Sequence, residues 1–274
     1  MGLGRNNFDR ISDYEAATRD FPQAKRALCF GDSWFQYVPH PTDLDKQLAR
    51  LFRGTLFLNE GVAGRDSAMW KSAIPRVERE IASYRFDAIL LSNGGNDVVG
   101  SEMKEFIKTA GQLQSPGSTR WGEIPREVFD HVRLETFEHA LRYAILDLKQ
   151  IVDIVNQYSR ESLVFVHTYD YVWPSGKGFK LGLVKTGPWI KPYLDEVGLT
   201  DPAGQRVLTS WLVDQFAREL KAFVSVNAAN VRLIDSRGTL PRQAQWENEI
   251  HPTARGFELI ATQCWKPALA AVLR

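Results

Sequence analysis

Five short apolar runs, each closed by a polar turn and separated by longer amphipathic stretches, set the rhythm of this chain. They fall at 26–31 (RALCFG), 55–59 (TLFLN), 87–91 (DAILL), 163–167 (LVFVH) and 231–235 (VRLID). Continuous rather than alternating apolar residues fit strands buried on both faces. Between the runs, helical spacing predicts helices over 44–52, 67–83, about 128–158, about 202–227 and 253–273. Strand and helix in alternation predict an α/β chain, a three-layer α/β/α sandwich around a parallel sheet, in one domain over 1–274.

Two stretches break the rhythm. Residues 111–125 (GQLQSPGSTRWGEIP) are polar and rich in Gly, Ser and Pro, and residues 169–192 combine aromatics with Gly and Lys. Both leave the carboxyl end of an expected strand, where open parallel sheets carry their ligand sites. They are read as insertions, about 100–126 and 169–200, that rim a pocket. Within the second, Tyr169, Tyr171, Trp173, Phe179 and Trp189 with Lys177, Lys180, Lys185 and Lys191 could stack on a sugar ring or cover an acyl chain, or form a small satellite core.

Charge changes the picture by what it leaves out. With 34 Lys and Arg against 33 Asp and Glu, the formal charge is +1. That balance gives no nucleic-acid footprint and no polybasic membrane patch, so the expected partner is a small molecule. No apolar run reaches the length of a membrane span or a signal sequence, and the expectation is a cytoplasmic protein without integral membrane association. Cys29 and Cys264 are too few for a disulfide scaffold and are expected to be free thiols.

Four polar blocks carry the candidate chemistry. Gly31-Asp32-Ser33 follows the first strand, where a serine hydroxyl can project above the sheet, although all three residues also suit an ordinary turn. Asn59 to Gly64 (NEGVAG) follows the second, and a glycine there lets backbone approach a ligand or simply turns the chain. Asn93-Gly94-Gly95-Asn96-Asp97 follows the third, aiming an amide at the same edge or capping a helix. Asn248 to Thr253 (NEIHPT) precedes the last helix, and His251 there can serve as a general base or be mere punctuation before a helix.

In order and in placement, GDS, the glycine-bearing block, GGND and the late HP block resemble those of the SGNH/GDSL hydrolases, over about 26–256. The resemblance implies a flavodoxin-like sandwich with a five-stranded parallel sheet and cleavage of carboxylic esters without metal or cofactor. It implies Ser33 as nucleophile, His251 as base, and an oxyanion hole from the Ser33 N–H, the Gly64 N–H and the Asn96 side chain. Trp34, Asp97, Tyr169 and Trp173 are the candidates for substrate contact. One departure stands out: where the family has an aspartate three residues before the histidine, this chain has Asn248, flanked by Glu247 and Glu249. Asn248 or a backbone carbonyl is the favoured partner of the imidazole, with either glutamate as the alternative. A short-chain carboxylesterase leads, ahead of a carbohydrate O-deacetylase or a lysophospholipase/thioesterase. A catalytically silent domain of this fold is the reading of another class. Among the other histidines, His40 could line the pocket, His167 could face the site or the core, and His131 and His139 are expected on the solvent side.

Overall fold

The computed structural model describes residues 5–37, 43–100, 102–112, 121–181 and 184–274. His40 and the middle of the polar stretch at 111–125 lie outside these residues. Every expected strand forms: β2 (Lys25–Gly31), β3 (Thr55–Gly61), β4 (Ala88–Ser92), β5 (Leu163–His167) and β8 (Val231–Ile234). A sixth, β1 (Asn7–Phe8), joins the edge, so the sheet has six parallel strands in the order β1-β3-β2-β4-β5-β8 rather than five. Two residues carry no periodicity to read. They are fixed instead by pairing with Phe57 and Leu58, while the Asn6 amide donates to the carbonyls of Ala49, Phe52 and Thr55.

Without β1 the order is that of a flavodoxin-like sheet: the chain steps from β2 to β3 on one side, then back past β2 to β4 on the other. The carboxyl ends on either side of that reversal form the usual ligand crevice. Gly31 pairs with Gly61 and with Ser92, which brings the ends of β2, β3 and β4 level. A Cβ on Gly31 would lie 2.3 Å from the Ser92 carbonyl oxygen, so only glycine permits this approach.

The helices form two groups around the sheet. One contains α3 (Ser67–Ser83), α7 (Leu134–Tyr158) and α9 (Pro202–Val226), with Trp70 Nε1 donating to the Asp147 carbonyl across α3 and α7. The other contains α2 (Leu44–Leu51), α10 (Ala254–Ile260) and α11 (Lys266–Leu273). Caps mark the starts: the Asp66, Asp201 and Thr253 side chains accept from the N–H groups of Met69, Gly204 and Gly256. The last expected helix contains a π turn over Ala261–Trp265, between α10 and α11. Among the described residues, the short helices that went unforeseen include α1 (Ile11–Asp20), α4 (Gly95–Val99), α5 (Met103–Phe106) and α8 (Lys191–Glu196).

The helix expected over 128–158 is two, α6 (Arg126–His131) and α7. Val132 bridges to Ile107 and the Arg133 N–H donates to the Phe106 carbonyl at 2.6 Å, so tertiary pairing takes the backbone out of helix there. That break corrects the expectation for His131: it is buried, with Nδ1 3.2 Å from the Lys108 carbonyl. His139, on α7, is exposed as expected. Both cysteines are free, Cys29 buried and Cys264 half-buried. No helix among the described residues is long and apolar enough to cross a membrane.

Candidate active site

Ser33 sits in the turn leaving β2, buried among its neighbours, and its Oγ is 2.7 Å from His251 Nε2. The two residues are 218 positions apart. Each loop is held by a short local code. In the serine loop, Asp32 Oδ1 accepts from the Trp34 N–H at 3.0 Å, and the Asp32 carbonyl accepts from Phe35 at 3.1 Å. In the histidine loop, Asn248 Oδ1 accepts from the backbone N–H groups of Ile250 (3.1 Å) and His251 (2.9 Å). Trp34 ties the loops together, its indole donating to the Ile250 carbonyl at 3.2 Å.

Those contacts also fix protons. Because two backbone N–H groups point at it, the Asn248 atom facing them is the carbonyl oxygen. It lies 3.0 Å from His251 Nδ1, so Nδ1 carries the ring proton and donates to it. Nε2 is then the unprotonated nitrogen, and the Ser33 hydroxyl donates to it. The Asn248 amide nitrogen donates to the Tyr37 hydroxyl at 2.6 Å, and the Tyr37 ring stacks on the imidazole at 3.9 Å with 17° between planes.

The flanking glutamates take other work. Glu249 is fully buried and accepts four backbone N–H bonds, from Gly176 (3.0 Å), Trp189 (2.6 Å), Ile190 (2.7 Å) and Lys191 (3.0 Å). It therefore pins the 173–191 segment, with its hairpin β6 (Phe179–Leu181) and β7 (Val184–Thr186), onto the histidine loop. Glu247 pairs with Lys177 at 3.5 Å. The pinned segment brings the Trp189 ring edge-on to His251 at 5.6 Å and Phe179 to Tyr37 at 5.9 Å.

A second network lies beneath. Asp32 Oδ1 accepts from the Ser92 hydroxyl at 2.7 Å and Oδ2 accepts from the Tyr169 hydroxyl. His167 Nδ1 accepts from the Tyr169 N–H at 3.3 Å, so Nε2 carries its proton and donates to Ser92 at 2.9 Å. Complete burial pushes the His167 imidazole down to about 3, and burial pushes the Tyr169 phenol well up. Burial also raises the Asp32 carboxyl, against the pull of the Tyr169, Trp34 and Ser92 donors and of Arg65. Asp32 is thus a brace for the serine loop. Tyr169 adopts φ +60, uncommon for a bulky residue, and its ring packs where a Gly95 side chain would lie.

Asn96, at the start of α4, shares a cavity with Ser33 whose apolar wall is Trp34, Val99, Tyr169, Val172 and Ile250. The cavity is shallow, with a volume of about 20 Å³. Asn96 Nδ2 donates one hydrogen to the Arg65 carbonyl at 3.0 Å, which joins it to the Gly64–Arg65 turn. Gly64 lies at φ +73, a left-handed conformation that favours glycine. Neither the Ser33 nor the Gly64 N–H makes a hydrogen bond to another described residue. Gly64 does not line the cavity. Of the remaining candidates, Trp34 and Tyr169 form cavity wall, while Asp97 is buried within α4. Trp173 is not part of that wall, and its ring carries the Arg206 guanidinium at 4.1 Å.

No protein-family model matches the sequence, and no curated protein does. Solved structures do match. The lipase Lip_vut3 from a goat rumen metagenome superposes with a TM-score of 0.55 at 16% identity, covering 92% of this chain and 100% of that one. An extracellular lipase from Streptomyces rimosus gives 0.53 at 16% identity, covering 91% and 100%. The fold is that of these two lipases. At such identities the likeness concerns the backbone, and the chemistry rests on the side chains described above.

Two residues of the site, Tyr37 and Ser92, carry no motif of their own, and nothing local marks them. Glu249 lies inside the NEIHPT block, where the sequence offers it as an alternative partner of the imidazole rather than as a loop anchor.

Proposed function

We propose that the chain, as one domain over 1–274, is a serine hydrolase of the SGNH type that cleaves carboxylic esters through an acyl-enzyme on Ser33. The observation that carries this reading is the 2.7 Å Ser33–His251 contact with its tautomer set by Asn248. A serine hydroxyl is a weak nucleophile until a base within hydrogen-bond reach takes its proton as it attacks. Here Ser33 Oγ bonds to the ester carbonyl carbon while His251 Nε2 receives the hydroxyl proton. The carbonyl oxygen becomes an oxyanion, taken up by the Ser33 N–H, the Gly64 N–H and the second hydrogen of the Asn96 amide. Collapse breaks the bond to the alcohol oxygen, which leaves with the proton from His251. Water then attacks the acyl-enzyme by the same relay and frees the acid and Ser33.

Asn248 supports the relay without a charge. Its oxygen holds Nδ1–H, which keeps Nε2 unprotonated and aimed at Ser33, the orienting half of what an aspartate does. The limited cavity and its aromatic wall favour a short acyl group, and a short-chain carboxylesterase is the leading assignment.

A panel of nitrophenyl esters from acetate to long-chain acids, run beside acetylated sugars, tests the assignment. Turnover is expected to be fastest at two to four acyl carbons and absent in Ser33→Ala. Preference for acetylated sugars would move the assignment to a carbohydrate deacetylase, and preference for long chains to a lysophospholipase or thioesterase. Failure to hydrolyse any ester would favour a catalytically silent domain.

A further inference from the structure

Asn248 orients the imidazole through a neutral oxygen. When His251 takes the serine proton it becomes a cation, 4% exposed, with a neutral amide on Nδ1 where an aspartate would supply negative charge. Such a charge is costly unless something offsets it. One group placed against the ring is aromatic: the Tyr37 ring lies 3.9 Å from the imidazole and within 17° of parallel. An aromatic face is electron-rich and attracts a cation more than the neutral ring, so this contact strengthens as the proton arrives. Only interactions that strengthen on the way to the transition state speed the reaction.

We propose that Tyr37 is a positioning residue that substitutes for the missing carboxylate, its ring face stabilising the His251 imidazolium and its hydroxyl holding Asn248. This inference rests on the esterase reading. The hydroxyl accepts the Asn248 Nδ2 hydrogen at 2.6 Å, which satisfies an amide 2% exposed and polarises it, so that Oδ1 becomes a stronger acceptor for Nδ1–H. Tyr37 is itself fixed: its N–H donates to Asp43 Oδ2 at 3.1 Å, Asp43 is paired with Lys46, and Phe179 packs on the ring. Among the described residues, the charged groups on the elements packed around the stack include Glu249, Glu247 with Lys177, and Asp43 with Lys46, and a change at position 37 replaces none of them.

The test replaces Tyr37 with phenylalanine and then with progressively fluorinated phenylalanines, which keep the ring's shape while draining its face. Each protein is read twice, by the acid limb of kcat/KM against pH and by the NMR titration of the His251 ring in the Ser33→Ala background, which needs no turnover. Full fluorination is expected to move both readings down by about one pH unit, in steps that follow fluorine number. A purely packing role would lower activity or stability without that graded shift. Phenylalanine alone is expected to leave the limb near its place and lower kcat/KM severalfold, with Asn248→Asp restoring the loss. A ring titration indifferent to fluorination overturns the proposal. If the titration shifts but no variant, nor the parent, hydrolyses any ester, the Tyr37 proposal stands and the esterase reading fails.

Discussion

At the carboxyl edge of the sheet, two clusters are built from nearly the same parts. One joins Ser33, His251, Tyr37 and Asn248; the other joins Ser92, His167, Tyr169 and Asp32. By composition alone the better triad would be the Ser92 cluster, since it holds the carboxylate. Proton positions say otherwise. The Tyr169 N–H occupies His167 Nδ1, so His167 donates to Ser92 and has no lone pair for the serine hydroxyl, which instead donates to Asp32. In the Ser33 cluster Asn248 occupies Nδ1 as an acceptor, and the lone pair of Nε2 faces Ser33. Access differs as well: Ser33 lines the cavity, while Ser92 is wholly buried. Nearby Asp170 is no rival acid, since backbone N–H groups of Tyr171, Gly238 and Leu240 occupy it. Which residues meet matters less than which nitrogen of the imidazole holds the hydrogen.

The sharpest way to break the contrast is to delete each serine. Ser33→Ala is expected to lower ester turnover by on the order of 10⁴-fold or more, whereas Ser92→Ala should keep most turnover and lose about 1–3 kcal/mol of stability, because it removes a donor from a buried carboxylate. Turnover assays and urea unfolding of both variants check this; the reverse pattern would exchange the clusters' roles. Next in size, Asn96→Ala should remove the proposed oxyanion donor at a cost of about 3 kcal/mol of barrier, so kcat should fall by roughly 10²–10³ with little change in KM.

The Ser92 cluster should show itself in stability rather than rate. The folded His167 titrates near 3, below its unfolded value of about 6.5. As pH falls through that window, the unfolded chain binds a proton that the folded chain refuses, so stability drops. Between pH 6.5 and 5 this amounts to about 2 kcal/mol. The raised Asp32 carboxyl acts in the opposite sense, the folded chain taking that proton first. Comparing urea unfolding of the parent and His167→Gln across this range isolates the histidine, and the variant should show the shallower acid loss. Equal slopes would mean that His167 is protonated in the folded protein. The smallest effect is expected at Asn248→Asp, where turnover should stay level or rise by less than tenfold. Collapse of turnover in a folded variant would show that the amide itself is required.

Much of this was legible because buried parallel strands must be apolar on both faces, and the five runs between polar turns say so directly. The four blocks at the strand ends were legible for a related reason: a reactive loop needs glycine, hydroxyl, amide and imidazole in particular places. What escaped depends on long-range geometry. Tyr37 reaches Asn248 across 211 residues. Ser92 closes a run of apolar residues and reads as its end, and β1 is too short to have a period. The split between α6 and α7 is imposed by Ile107 and Phe106, distant in sequence, and it turned His131 inward against the local pattern.

The most direct measurement is covalent. A fluorophosphonate probe reacts with a serine that has a base at hand and a site for the developing oxyanion. Mass spectrometry of the labelled, digested protein is expected to place the adduct on Ser33, with labelling lost in His251→Gln and retained in His167→Gln. An adduct on Ser92, or none on a folded protein, would contradict the assignment of Ser33 and His251 as the reacting pair.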